Sequence, residues 1–482
     1  MTSQSIIDTD ICVIGGGSGG LSVAAGAVQM GARVVLIEKG AMGGDCLNVG
    51  CVPSKALLAA AKQAQAMRKG ELFGVSSVAP SIAYDRVQSH IREIITAIAP
   101  HDSVERFEGL GVTVIRASAS FISKNEVEAG GKVIRAKRFV IATGSSPAIP
   151  PIPGLAETPF LTNETLWSLN EKPHRLIVIG GGPIGLEMAQ AHRRLGSDVA
   201  VVEIAAPLAK DDPALAQVVV EALSAEGVLF KTNVTVERVS FVENRFRVSL
   251  RNGSSLSAVL EGSHLIVATG RSPNVTGLNL EAASVAFSRH GINVDQRLRT
   301  SNKRIFAIGD VATGPGAGLQ FTHMASYHAG IVIRNALFRI PAKSKTDHIP
   351  WTTYTDPELA QVGLTTDQAR ARLGSQAEIL AWSFRDNDRA QAERRTTGCI
   401  RVSLDAKGRI YGAGIVGPNA GELIQVWALA LSKGLKIKDI AGMVAPYPTL
   451  GEISKRAAGQ FFAPKLFASR TRWIVRQLLR LG

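Results

Sequence analysis

The chain has 482 residues, 45% hydrophobic and 20% charged, the balance of a globular protein with room for roughly three domains of about 150 residues. No run of about 18 apolar residues argues for a spanning helix, and four cysteines are too few for a secreted disulfide framework. A formal net charge of +14 comes without zinc-finger spacing, an RNA-binding signature or a basic-aromatic stripe, so nucleic acid is not an expected partner.

The chain opens MTSQSIIDTD, with neither a basic n-region nor an apolar h-region, so no secretory leader is expected. Reducing cytoplasm is the expected compartment, and a disulfide formed there is more often catalytic or redox-sensing than structural. Ile11–Ile14 reads as a short buried strand. Gly15, Gly17 and Gly20 then fit G-x-G-x-x-G, an Ala-rich helical stretch follows, and Arg33–Ile37 reads as a second strand ending at Glu38. This β-turn-α-β context predicts a dinucleotide site. The first glycine allows the tight turn, the second lets backbone approach a pyrophosphate, and the third lets helix and strand pack closely. Glu38 is placed to accept hydrogen bonds from a ribose.

The stretch GGDCLNVGCVPSK, Gly43 to Lys55, places Cys46 and Cys51 in a glycine-rich loop running into a helix. A metal clip would want more ligands, and no histidine or third cysteine lies nearby in sequence. A staple across four intervening residues would constrain little. A redox pair is the third reading.

The nucleotide pattern returns in RLIVIGGGPIGLEMAQAHRRLGSDVAVVEIAAP, with Gly180, Gly182 and Gly185 at the turn and Glu203 at the acid position. The chain therefore repeats a whole supersecondary unit, which predicts two bound dinucleotides. RFVIATGSSP and HLIVATGRSPN each read as a strand ending in a tight turn, at Ala142-Thr143-Gly144 and Ala268-Thr269-Gly270. KRIFAIGDVAT reads as a strand ending in Gly309-Asp310, and an acid at that end, beside a nucleotide crevice, suits sugar hydroxyls. Cys12 and Cys399 lie in apolar strand-like contexts and read as small buried hydrophobes.

In this order, with a C-terminal region after them, the motifs resemble the class I pyridine nucleotide-disulfide oxidoreductases. That family includes dihydrolipoamide dehydrogenase, glutathione reductase and mercuric reductase, and the cysteine motif is similar to the mercuric reductase form. The resemblance implies an α/β fold: two doubly wound, Rossmann-like dinucleotide-binding domains and an α+β C-terminal dimerisation domain. It places the first part of an FAD-binding domain at 1–150 and an NAD(P)H-binding domain at 151–274. The second, central part of the FAD domain follows at 275–345, then a dimer-interface domain at 346–464 and a tail at 465–482. The first cradle would bind FAD and the second NAD(P)H. Asp310 would hold the ribityl chain, and the helix starting in QFTHMASYHAG, with Thr322 and His323, would face the flavin.

The resemblance further implies that Cys46 and Cys51 form a redox-active disulfide. Cys46 would be the interchange thiol and Cys51 would sit against the flavin, its thiolate favoured by a helix N-terminus and by Lys55. Lys55 would pair with Glu187, and the protein would be a homodimer. Glu203 suits the ribose hydroxyls of NADH and would repel the 2′-phosphate of NADPH. Electrons would pass from NADH through flavin to the dithiol and on to a small-molecule, metal-ion or disulfide acceptor. No resident metal is expected.

The sequence departs from this family pattern at one position. Disulfide reductases of the family carry a histidine in a His-Pro-Thr segment with a glutamate five residues on; here the segment is APYPTLGEISK, with Tyr447 in the histidine's place and Glu452 retained. A phenol of pKa about 10 is a poor base at neutral pH, which favours a soft-metal, mercuric-type acceptor over lipoamide or glutathione chemistry. The cysteine pair that ends mercuric reductases is absent from WIVRQLLRLG. Alternatives are dihydrolipoamide dehydrogenase-like activity, a flavin-only quinone reductase, and a redox-sensing flavoprotein docked on a membrane. The last rests on the tail. Ser469 is placed to cap a helix there, with Arg472, Arg476 and Arg480 on one face and Trp473, Ile474, Leu478 and Leu481 largely on the other. Such a helix suits either its own protein's surface or the inner face of an anionic membrane.

Overall fold

The structure, a computed structural model, describes residues 5–253 and 255–481. Residues 1–4, where the leader reading begins, and Gly482 lie outside the described residues. Three layered units follow one another, and the first is completed only late in the chain. Its parallel sheet runs Thr113–Ile115, Val34–Ile37, Ile6–Ile14, Lys132–Ile141 and Ile305–Ala307. The outer half of Lys132–Ile141 also pairs antiparallel with Glu126–Ala129, which leads to Ala119–Ser123. The first strand is longer than the Ile11–Ile14 expected, because Ile6–Thr9 already pairs with Val133–Ala136. Only its inner end is continuously buried, hence the short apolar run in the sequence.

The second unit repeats this plan. Leu229–Thr232, Asp198–Glu203, Arg175–Ile179 and His264–Val267 form a parallel sheet, and Thr235–Val242, Arg245–Asn252 and Ser255–Gly262 form an antiparallel meander beside it. The third unit is a five-stranded antiparallel sheet, in order Pro350–Thr353, Glu358–Gly363, Ile410–Gly417, Cys399–Asp405 and Ala377–Ser383. The helices Gln425–Lys433 and Glu452–Gln460 accompany it, and buried Trp427 donates Nε1–H to Ser454 Oγ at 3.0 Å. Among the described residues no helix is long and apolar enough to cross a membrane. Cys12 is fully buried in the first sheet, whereas Cys399, at the end of its strand, is only half-buried. Two expectations for the tail change. The helix Ser469–Leu478 is preceded by Ala468 as N-cap, so Ser469 is its first residue and caps nothing. At about 100° per residue, Trp473 falls beside the arginine stripe rather than opposite it.

The second and third units are joined by buried acids. Asp212 ends the loop before the helix Pro213–Ala225, accepts from Ala214 N at 3.1 Å and pairs with Arg401 at 2.8 Å. Asp211 accepts Trp351 Nε1–H at 2.7 Å. Burial pushes the Asp211 carboxyl up to about 6, against the lowering effect of that hydrogen bond. A carboxyl raised on folding contributes stability below its unfolded pKa and loses it as pH rises through about 6. Asp211→Asn keeps an acceptor for Trp351, so it is expected to stabilise the fold at pH 8 by about 2 kcal/mol and to be neutral at pH 4. Urea denaturation at the two pH values checks this; an equal effect at both would mean that ionisation is not the cause.

Candidate active site

Both cradles are built by close backbone approach. Gly15 and Gly180 lie at φ +110° and +113°, and a Cβ on either would overlap the carbonyl of Ala142 or Ala268. A Cβ on Gly20 or Gly185 would overlap the carbonyl oxygen of Gly15 or Gly180. Glu38 Oε2 accepts from Gly16 N at 2.5 Å, and Glu203 Oε2 from Gly181 N at 2.6 Å. The carboxylates therefore hold their own turns, with lone pairs left over for further donors.

A cavity of about 1280 Å³ runs from the first cradle to the cysteines. Gly15, Gly17, Glu38, Thr143, Gly144, Asp310, Thr322, His323, Cys46, Cys51, Lys55 and Glu187 all line it. Gly180, Gly182, Gly185, Glu203 and Gly270 do not, nor do Tyr447 and Glu452. Cys46 lies in the helical turn Gly44–Asn48, and Cys51 is the first residue of the helix Cys51–Arg68. Both are thiols in the structure. Cys51 Sγ lies 3.5 Å from Thr322 Oγ1, at the start of the helix Thr322–Ala336.

The two sulfurs differ in acidity. Hydrogen bonds from Cys46 and Thr322 and the charge of Lys55 bring the Cys51 thiol down to about 6, against burial. The same bond to Cys51, with burial, pushes the Cys46 thiol up. Lys55 Nζ donates to Glu187 Oε2 at 2.7 Å and lies 4.4 Å from the centre of the Tyr354 ring. Glu187 is buried, and its Oε1 accepts from Tyr354 N at 2.9 Å.

Sequence reasoning missed a polar lock behind the dithiol. Arg271 donates to Asp45 Oδ1 at 2.9 Å, to Ser145 Oγ at 2.7 Å and to Ser145 O at 2.7 Å. Ser145 Oγ in turn donates to Asp310 Oδ2 at 2.6 Å, and Asn163 Nδ2 donates to Asp45 at 3.2 Å. Burial raises the Asp310 carboxyl, while Ser145 and Arg271 oppose the shift. The available signals were adjacency alone: Arg271 follows Gly270, and Asp45 precedes Cys46. Tyr447 is 70% exposed and donates its hydroxyl to Asp388 Oδ2 at 2.9 Å. That hydrogen bond, with the charge of Asp388, raises the phenol pKa. Glu452 begins the helix Glu452–Gln460, 3.9 Å from Arg456.

The residues fit FAD. The first cradle has no room for a Cβ, the cavity exceeds the roughly 300–1,000 Å³ of small-ligand sites, and an acid stands at a strand's carboxyl end inside it. Fold and site together define a two-cradle oxidoreductase with a dithiol in its larger cleft. The family model described as pyridine nucleotide-disulphide oxidoreductase matches residues 9–329, and its dimerisation domain matches 349–458. The chain is 36% identical to a mercuric reductase of Bacillus cereus over 96% of this chain and 73% of that one. It is 33% identical to a dihydrolipoyl dehydrogenase of Geobacillus stearothermophilus over 94% and 96%. The Cu(II) complex of the HOCl-induced flavoprotein disulfide reductase RclA from Escherichia coli superposes with a TM-score of 0.83 at 28% identity, covering 94% of this chain and 99% of that one. The chain belongs to the pyridine nucleotide-disulphide oxidoreductase family and is a FAD-dependent enzyme of it, with a dimerisation domain that supports a homodimer.

In Cys46→Ser a hydroxyl can still donate toward Cys51, so Cys51 is expected to alkylate with a midpoint near pH 6. Adding Lys55→Met should move that midpoint up by about one unit, and adding Asp45→Asn should move it down. Iodoacetamide rates against pH measure this. Midpoints near the usual thiol value of about 8.5 in all three would show that these groups do not set the thiolate.

Proposed function

We propose that this enzyme carries electrons from NADH to the Cys46–Cys51 pair and delivers them to a soft metal ion of the mercuric type. Bound FAD would supply two-electron chemistry between a reduced nicotinamide and a disulfide. The first cradle, Glu38, Thr143, Gly144, Asp310, Thr322 and His323 would hold it. The second cradle, with Gly270 nearby and Glu203 at its acid position, would hold the nicotinamide nucleotide. Reduction of the disulfide leaves one thiol and one thiolate; the acidities favour the proton on Cys46 and the charge on Cys51. Lys55 holds that charge in place while Glu187 holds Lys55.

The observation that carries the choice of acceptor is Tyr447. A disulfide acceptor needs protons delivered to its leaving sulfur, which imidazole does near neutral pH. Tyr447 stands in that sequence position with its hydroxyl committed to Asp388 and its acidity weakened. Two adjacent cysteine sulfurs suit a soft cation, which needs ligands rather than a proton donor. The 36% identity to a mercuric reductase supports the same reading.

Steady-state oxidation of NADH is compared with thiol-buffered Hg(II), lipoamide and glutathione disulfide. The metal is expected to turn over at least about tenfold faster than either disulfide, and Cys46→Ser to lose about 100-fold or more with the metal. Faster lipoamide turnover would replace this reading with a dehydrogenase of dihydrolipoamide. Full metal turnover in Cys46→Ser would leave a flavin-only reductase. For the nucleotide, kcat/KM for NADH should exceed that for NADPH by at least about tenfold, because Glu203 repels a 2′-phosphate; the reverse ratio would overturn the assignment.

A further inference from the structure

The tail carries a run of exposed apolar side chains from Leu466 to Leu481. The family's dimerisation model ends at residue 458, and the chain continues through the turn Ala463–Leu466 into the helix Ser469–Leu478. No side chain of that helix is buried. Ile474, Val475, Leu478 and Leu481 are 41%, 46%, 60% and 83% exposed, and at about 100° per residue they form one face with Leu479 at its edge. Arg472, Arg476 and Arg480 form the adjoining stripe, with Trp473 on its shoulder. After Glu452 the chain has seven basic residues and no acidic one. Among the described residues none of the tail's four arginines forms an ion pair.

We propose that this helix lies on the surface of an anionic phospholipid bilayer, holding the enzyme at the membrane. An uncovered apolar face calls for an apolar medium, and the arginine stripe beside it calls for negative charge at the same depth. Headgroups of anionic lipid over acyl chains supply both in that order. The tryptophan lies between the two faces, at the level where an amphipathic ring is best accommodated. A second copy of this chain, with its formal net charge of +14, is a poorer electrostatic match for the arginine stripe than an anionic surface. The helix is too short and too polar to span, so the attachment is peripheral and salt-sensitive.

The test is co-sedimentation of full-length holoenzyme with vesicles of phosphatidylcholine alone or mixed with phosphatidylglycerol. Binding to the anionic vesicles is expected to be at least about tenfold tighter than to the neutral ones and to weaken with salt. Replacing Arg472, Arg476 and Arg480 with glutamine should erase the preference. Ile474→Ser with Leu478→Ser should abolish binding to both, while NADH-dependent turnover and the dimer persist because neither side chain is buried in the fold. The proposal fails if the protein binds no vesicle at low salt, or if either variant binds as well as the parent. It also fails if the serine variant dissociates the dimer in light scattering, since a second copy would then cover this face.

Discussion

The arrangement depends on one buried carboxylate. Glu187 belongs to the second nucleotide unit, Lys55 to the dithiol helix of the first, and Tyr354 to the third, and all three meet at Glu187. Its two oxygens are divided between them. Removing Lys55 would leave a buried charge without its counter-ion, which is far costlier than losing an exposed pair. Lys55 lies four residues after Cys51, one helical turn on, so the two side chains share a helix face. The ion pair therefore holds the Lys55 charge on the helix face that carries Cys51.

The helix carrying Glu187 starts at the second cradle. Gly182 is its N-cap and Pro183 its first residue. Glu187 follows Pro183 by four residues, about 6 Å of helix rise. A nucleotide held at that N-terminus is thus about one helical turn from a carboxylate lining the dithiol cavity. The duplicated unit has been used asymmetrically. The first cradle opens directly on the cysteines, whereas the second reaches them through its helix. The same backbone solution, a glycine turn pinned by an acid at the end of the next strand, serves both positions.

Most of this was legible in the sequence because the cradles are steric. Gly15, Gly20, Gly180 and Gly185 sit where a Cβ would overlap a carbonyl, so chemistry forces the motif and the motif reveals the chemistry. The lock around Arg271 was not legible. Arg271 and Asp45 are 226 residues apart, and Tyr354 and Glu187 are 167 apart. Pairs at such separations leave no periodicity or spacing behind. They arise only when the sheets are stacked, and the residue types involved are common on surfaces. The cap expected at Ser469 failed for a smaller reason. A serine before a helical pattern suggests a cap, but the helix began one residue earlier than that reading requires.

The dithiol and Tyr447 bear on the same question from opposite sides. In this chain the phenol is exposed, held by Asp388 and made less acidic, while the acidity difference is built into the cysteines themselves. The acidities favour the charge on Cys51 and the proton on Cys46, from which a Lewis acid that takes the sulfur would displace it. Such a release goes to water and needs no partner base. Under the proposed function the acceptor is one that binds sulfur more strongly than sulfur binds hydrogen, which is the property that separates soft metal ions from disulfides.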